Sequence, residues 1–94
     1  MGYNSGKTLV SFHLKVQDKA VKSIRKIPEP HKTLIKKKIE LLKSFTKDMH
    51  NVKALQGEYK GFYRLRAGSY RILFDVADKT TIVILDIFTR SDGY

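Results

Sequence analysis

The most constraining feature of this sequence is a run of three β-type segments joined by very short links. Side chains alternate between apolar and polar from Tyr59 to Ala67, from Tyr70 to Ala77 and from Thr81 to Thr89, which is the period of a half-buried strand. Gly68-Ser69 and Asp78-Lys79-Thr80 connect these segments, and both are tight-turn sequences. Links this short permit only antiparallel neighbours, so the second half of the chain is predicted to be an antiparallel meander.

The first half of the chain is predicted to be mainly helical. Alternation in residues 9–14 predicts one short strand. Apolar residues then recur on one face from Gln17 to Ile27 and again from His31 to Phe45, which predicts two helices. Pro28-Glu29-Pro30 separates them, because proline lacks an amide hydrogen and disfavours helical geometry in the residue before it. The stretch 46–58 is interpreted as a connection between the helices and the meander.

This order of elements indicates an α+β domain. We expect a curved antiparallel β-sheet with an N-terminal helical hairpin packed on one face, in the order β-α-α-β-β-β. Ninety-four residues suffice for one hydrophobic core and not for two, so residues 1–94 are predicted to form a single domain.

The composition limits the function classes. Nineteen Lys and Arg oppose nine Asp and Glu, and the resulting net charge of +10 attracts polyanions such as nucleic acid. The chain has no cysteine, which excludes disulfides, thiolate metal sites and a cysteine nucleophile, and agrees with a reducing compartment. No stretch approaches the roughly 18 apolar residues of a membrane span. We therefore expect a cytoplasmic protein with anionic partners and no membrane association.

One face of the predicted sheet is strongly basic. The helices are expected to cover the more apolar face, so the opposite face collects arginines and aromatic rings: Arg64, Arg66, Arg71, Arg90, Phe62 and Phe88. Guanidinium groups bind phosphate through paired hydrogen bonds, and unpaired bases stack on aromatic rings. Carboxylates on this face are few, chiefly Asp75 and Asp86. Anion binding is therefore favoured over ordinary surface ion pairing.

Two segments resemble the RelE/ParE superfamily of toxins. The run from Leu55 to Phe74, LQGEYKGFYRLRAGSYRILF, is similar to the superfamily's Leu-x-Gly followed by a Tyr-Arg-Leu-Arg-x-Gly-x-Tyr-Arg hairpin. The ending TRSDGY is similar to its terminal Arg followed shortly by Tyr. The resemblance implies the toxin of a toxin–antitoxin pair, with a cognate antitoxin protein as partner. RelE-like members cut messenger RNA in the ribosomal A site, whereas ParE-like members act on DNA gyrase.

The resemblance also implies site residues. Arg71 and Arg90 match the phosphate-stabilising arginines, and Tyr94 matches the terminal tyrosine that orients or activates the ribose. Arg64 occupies a position that is often Lys in the RelE branch. These four residues are predicted to be catalytic. The reaction is attack of a ribose 2′-hydroxyl on the adjacent phosphate, which needs no metal or other cofactor.

Further residues are predicted to contact RNA, and these are Lys53, Lys60, Phe62, Arg66 and Phe88. The general base stays open among Lys53, Lys60 and His50, each of which is also explained as a solvated side chain. The three histidines, at positions 13, 31 and 50, are too scattered in the sequence to suggest a metal site.

Three functions remain open. The leading one is a ribosome-dependent mRNA endoribonuclease that inhibits translation, with the ribosome and mRNA as partners. The second is a gyrase inhibitor without chemistry of its own, because Phe62 and Thr89 stand where many ribonuclease members carry basic residues or His. The third is a basic adaptor that only binds nucleic acid or an antitoxin. Leu73, Ile84 and Phe88 are expected to be apolar side chains on the uncovered face that an amphipathic antitoxin helix would cover.

Overall fold

The computed structural model describes residues 11–90. Its helices and strands are β1 (His13–Val16), α1 (Asp18–Arg25), α2 (His31–Leu41), β2 (Val52–Ala54), β3 (Tyr63–Ala67), β4 (Tyr70–Val76) and β5 (Thr81–Thr89). Two 3-10 turns lie at Leu42–Ser44 and Gly57–Tyr59. Residues 9 and 10 of the first predicted strand, and Tyr94, lie outside the described part.

The two helices form where the sequence predicts them. In α1, Asp18 lies in the first turn and Lys22 and Arg25 lie in the last turn, so the charges complement the helix dipole. In α2, the carboxylate of Glu29 accepts hydrogen bonds from the backbone N–H of Thr33 at 3.0 Å and from its hydroxyl at 2.7 Å. The first of these bonds satisfies the backbone N–H of Thr33, which lies in the first helical turn and has no partner within the helix. No helix in residues 11–90 has the length and apolarity that crossing a membrane requires.

The strands form one five-stranded sheet in the order β1-β5-β4-β3-β2. Strands β2 to β5 pair antiparallel, as predicted. The first strand instead pairs parallel to β5, with His13 opposite Thr81 and Val16 opposite Ile84. The predicted α+β fold is confirmed, but the sheet is mixed. A long connection separates β1 from β5, and only such a connection allows two strands to pair in the same direction.

Some predicted strand boundaries were wrong for local reasons. The predicted connection 46–58 contains β2, whose three residues are too few to show alternation. The next strand begins at Tyr63 rather than Tyr59, because the preceding residues turn through Gly57 and Gly61 at φ of 69° and 102°. The first strand starts at His13 and continues to Val16, later than the predicted residues 9–14.

A β-bulge changes which side chains of β5 reach the core. Leu73 lies opposite Asp86 but Phe74 lies opposite Ile84, so Leu85 is an extra residue in β5. An extra residue breaks the period of two. Ile84 and Ile87 therefore both reach the core and are 0% and 5% exposed. The prediction that Ile84 lies on the face away from the helices was wrong.

The hydrophobic core lies between the helices and one face of the sheet. The fully buried large side chains come from α2, its 3-10 extension and strands β3 to β5, and they are Phe74, Ile35, Leu42, Leu65, Ile72, Ile82 and Ile84. Ala20 of α1 is buried in the same cluster. Because both helices pack on this face, the opposite face of β2 to β5 is left for the basic side chains.

The cap of α2 has a testable pH dependence. The hydroxyl of Thr33, followed by its backbone N–H, holds the pKa of Glu29 below its usual range. A lowered folded-state pKa stabilises the fold above the unfolded-state pKa, and this stabilisation is lost as pH falls through the folded-state pKa. We expect wild type to melt above Glu29→Gln near neutral pH, with the difference shrinking between about pH 5 and about pH 3. A melting-temperature difference that stayed constant over this range would contradict the cap.

Candidate nucleic-acid interface

The register of the strands sets basic side chains side by side on the sheet face that the helices leave open. Arg66 of β3 lies opposite Arg71 of β4, and Arg71 lies opposite Phe88 of β5. Lys53 of β2 lies opposite Arg64 of β3. Directly opposite residues project from the same face with Cβ atoms about 4.5–5.5 Å apart. We call these five residues the arginine face.

Arg71 is the most constrained residue of the arginine face. It is half-buried, and its Nη1 donates to the backbone carbonyls of Gly68 at 3.1 Å and Tyr70 at 3.0 Å. These carbonyls belong to the β3–β4 turn, which Gly68 forms with φ of 63°. Two bonds from one nitrogen leave most of the five guanidinium donors for another acceptor. The turn therefore orients the Arg71 side chain and leaves its remaining N–H groups able to bind a ligand.

Like charges surround Arg71. Burial, and after it the neighbouring guanidinium groups of Arg64, Arg66 and Arg90, lower the pKa of Arg71. A guanidinium group nevertheless stays charged at neutral pH, so the result is a concentration of positive charge. A bound anion would relieve the repulsion among these four side chains.

A cleft of about 520 Å³ opens beside these arginines. Its charged lining residues are Lys38, Arg66, Arg71 and Arg90, and Asn51, Gly68 and Ser69 complete it. Asn51, at φ of 68°, accepts from the backbone N–H of Arg66 at 2.9 Å and from its Nη2 at 3.2 Å. The backbone N–H of Arg90 donates to the carbonyl of Ser69 at 3.0 Å. Every charge that lines this cleft is positive, so we call it the phosphate cleft.

Within residues 11–90, no carboxylate forms an ion pair with a residue of the arginine face. Asp86 accepts a hydrogen bond from the hydroxyl of Ser23 at 3.0 Å and pairs with Lys19 at 3.4 Å, so it is bound to α1. The only other ion pair within residues 11–90 joins Lys43 to Glu40. Neither ion pair includes an arginine. Over this range the arginine face therefore keeps its charge.

Comparison with known proteins identifies the family. Residues 12–94 match the family model described as ParE toxin of type II toxin-antitoxin system, parDE. The chain belongs to this toxin family. The resemblance seen in the hairpin sequence is thereby confirmed, and the protein is a toxin of a type II toxin–antitoxin system. A comparison with curated protein sequences finds no match.

Solved structures share the toxin's fold. The RelBE2 toxin–antitoxin complex from Mycobacterium tuberculosis is 25% identical, with a TM-score of 0.75 over 90% of this chain and 98% of the other. The RelB–RelE antitoxin–toxin complex from Methanococcus jannaschii is 26% identical, with a TM-score of 0.67 over 83% and 92%. A mutant of the E. coli toxin RelE in the free state is 22% identical, with a TM-score of 0.69 over 88% of this chain and 87% of the other. A likeness at this level of identity shows the fold alone.

The structure brings most of the predicted site residues of the toxin together. Arg64, Arg66, Arg71, Phe88 and Lys53 share the arginine face, and Arg90 lies at its end in the phosphate cleft. Phe62 is half-buried just before β3, where its carbonyl accepts from the N–H of Leu55 at 3.0 Å. Tyr94 lies outside the described residues. Its predicted role, like the roles of the others, stays a prediction.

The candidates for the general base do not lie together. Lys53 lies on the arginine face, opposite Arg64. Lys60 and His50 are exposed on the segments before β3 and β2, and neither lines the phosphate cleft. Among residues 11–90, no three side chains of His, Asp or Glu are grouped so that they could hold a metal ion.

Two residues of the phosphate cleft were missed in the sequence. Lys38 reaches the cleft from α2, where it stands between the core residues Ile35 and Ile39 and is half-buried. Asn51 adopts a left-handed backbone conformation, which Asn tolerates better than most residues. This preference is the only feature of the sequence that could have pointed to Asn51. Both belong to segments other than the hairpin that carries the arginines.

The exposed apolar surface is also not where it was expected. Leu73 projects from the arginine face but is 5% exposed, and Ile84 lies in the core, so these two residues do not need a partner to cover them. An apolar groove of about 440 Å³ instead runs between β1 and the helices. It is lined by Val16, Val21, Ile24 and Ile39 and bordered by charged residues of both helices.

The arginine face predicts a salt-dependent affinity for single-stranded RNA. Each phosphate neutralised by a side chain contributes about −0.7 to the slope of log K against log salt for single strands. We expect Arg66→Ala to weaken binding of an RNA oligonucleotide and to make this slope less negative by about 0.7. Lys22→Ala removes a charge from exposed α1, so its slope should match wild type. Equal slopes for wild type and Arg66→Ala would contradict a phosphate contact.

Proposed function

We propose that the toxin is a ribosome-dependent mRNA endoribonuclease that inhibits translation. The observation that carries this proposal is the position of Arg71, held by two backbone carbonyls in a phosphate cleft whose charges are all positive. The RelBE2 and RelB–RelE structures named above lend support, because the family resemblance links RelE-like members to cutting of messenger RNA.

The proposed reaction is transfer of a phosphoryl group within the RNA chain. The 2′-oxygen forms a bond to the adjacent phosphorus while the bond from phosphorus to the 5′-oxygen breaks. The 2′-hydroxyl loses its proton to a base, and the leaving 5′-oxygen gains a proton. The products are a 2′,3′-cyclic phosphate and a 5′-hydroxyl. Negative charge increases on the phosphate oxygens in the transition state, so donors fixed in advance stabilise it more than the ground state.

The described side chains divide these tasks. Arg71 and Arg90 bind the reacting phosphate, and Arg66 and Lys38 strengthen the field around it. Phe88, opposite Arg71, and Phe62 provide apolar rings for bases. The general base stays open among Lys53, Lys60 and His50, since none of them lines the phosphate cleft. Tyr94 is assigned to the ribose by the family resemblance alone.

A ParE-like inhibitor of DNA gyrase without catalytic activity is the second candidate. The description of the matching family model names ParE, whereas the solved structures that share the fold are named as RelE and RelBE complexes. Such an inhibitor needs a surface for a protein partner. It does not need several guanidinium groups gathered in one cleft, as they are here. The geometry of the phosphate cleft therefore favours the ribonuclease.

Toeprinting on ribosomes programmed with a defined message tests the proposal. Purified toxin should shorten the message only when ribosomes are present, and should leave a 5′-hydroxyl on the downstream fragment. Intact message together with inhibited gyrase supercoiling would establish the second candidate. Intact message together with normal supercoiling would indicate that the toxin only binds its partners and has neither activity.

Substitution of Arg71 should separate charge from geometry. Removing one preorganised donor of this kind lowers the rate of a reaction about 10²- to 10³-fold, so we expect a loss of that size for Arg71→Ala. Arg71→Lys keeps the charge without the planar fork and should recover only part of the rate. Arg25→Ala on exposed α1 is the matched control, and thermal unfolding of each variant checks the fold. Full cutting by Arg71→Ala would exclude the assigned role.

A further inference from the structure

A second cleft opens on the arginine face, beside the pair formed by Lys53 and Arg64. It has a volume of about 510 Å³, and Gln56, Glu58 and Tyr59 complete its polar lining. The charged and polar side chains of the phosphate cleft are only cations, one amide and one hydroxyl. This second cleft combines two cations with a carboxylate, an amide and an aromatic ring. Those groups suit a whole nucleotide, with its base as well as its phosphate.

The wall of the second cleft is held by its own backbone hydrogen bonds. It consists of the connection between β2 and β3, including the 3-10 turn Gly57–Tyr59. The N–H of Lys60 donates to the carbonyl of Gly57 at 3.1 Å, and the N–H of Phe62 donates to that of Tyr59 at 3.0 Å. Gly57 and Gly61 supply the positive φ values that this path requires. The turn therefore presents Glu58 and Tyr59 in a defined place.

The two clefts follow one another along β3. Arg64 borders the second cleft and Arg66 borders the phosphate cleft, and alternate residues of a strand lie on one face about 6.6 Å apart. This separation is comparable to that of successive phosphates in an extended RNA strand. A strand whose reacting phosphate lies at Arg71 would thus place its neighbouring phosphate at Arg64 and Lys53, and its base in the second cleft.

The carboxylate of Glu58 is available to a ligand. It lines the same cleft as Lys53 and Arg64, yet the two ion pairs within residues 11–90 are Lys19–Asp86 and Lys43–Glu40. A carboxylate accepts hydrogen bonds and cannot donate them when ionised. It therefore selects a base by the donors on the exposed pairing edge, which is the edge that proteins read in unpaired RNA.

We propose that the second cleft recognises the nucleotide flanking the cut and that Glu58 selects guanine there; this inference rests on the proposed ribonuclease function. Guanine presents two adjacent donors, N1–H and the N2 amino group, which match the two carboxylate oxygens. Cytosine and adenine present one amino group beside an acceptor. Uracil presents one N–H between two carbonyl oxygens, and these oxygens repel a carboxylate. The ring of Tyr59 gives the base a surface for stacking.

Cutting of four messages that differ only at the flanking nucleotide tests this inference. With programmed ribosomes and the full-length toxin, we expect the guanine message to be cut at least about ten-fold faster than the uracil message, the discrimination typical of one paired contact. Glu58→Gln places an amino group where one oxygen stood, and Glu58→Ala removes both oxygens. Either change should bring the ratio close to one, while cutting continues because the arginines are intact.

The controls separate this inference from the proposal on which it depends. Glu40→Gln raises the net charge by the same amount on α2 and should keep the preference for guanine. Equal cutting of all four messages by wild type would overturn the inference alone, as would a guanine preference that survives both Glu58 substitutions. Absence of cutting by wild type on every message would overturn the proposed function and this inference with it. Thermal unfolding verifies that each variant is folded.

Discussion

The register of the β3–β4 hairpin is the constraint on which both the core and the site depend. The two-residue turn at Gly68-Ser69 sets Leu65 opposite Ile72 on one face and Arg66 opposite Arg71 on the other. Leu65 and Ile72 are 2% and 0% exposed, so the register is held by burial. A slip of one residue would turn the arginines into the core, where each unpaired charge costs several kcal/mol. The arginine face is thus a direct consequence of core packing.

This arrangement explains how a cluster of like charges persists although its arginines form no ion pair within residues 11–90. Like charges directly opposite on neighbouring strands destabilise a sheet, typically by about 0.2–1 kcal/mol for each pair. Complete burial of one large apolar side chain stabilises the fold by about 1.5–3 kcal/mol. The fully buried residues behind the arginines, among them Phe74 and Ile72, therefore outweigh the repulsion between Arg66 and Arg71. The repulsion that remains makes the site selective for an anion.

Sequence patterns predicted those features whose cause is local. The turn residues and the period of two place Arg64, Arg66 and Arg71 on one face, and the hairpin has that register. Ile84 was assigned to the wrong face because the extra residue in β5 depends on pairing with β4, which no local pattern encodes. Lys38 and Asn51 were missed for a related reason. They enter the phosphate cleft from α2 and from the segment before β2, so only tertiary packing brings them there.

Family membership does not by itself choose the activity, because one fold supports different functions. The choice between a gyrase inhibitor and a ribonuclease depends on how the guanidinium groups are held. A surface that only binds a partner must match that partner's groups, but it does not need donors aimed at charge that develops during a reaction. Nη1 of Arg71 is committed to the carbonyls of Gly68 and Tyr70, which reduces its capacity to bind but fixes its direction. Fixed direction is of use where charge develops during a reaction, since no reorganisation is then needed. The anchoring of Arg71 therefore favours a catalytic role over a role in binding alone.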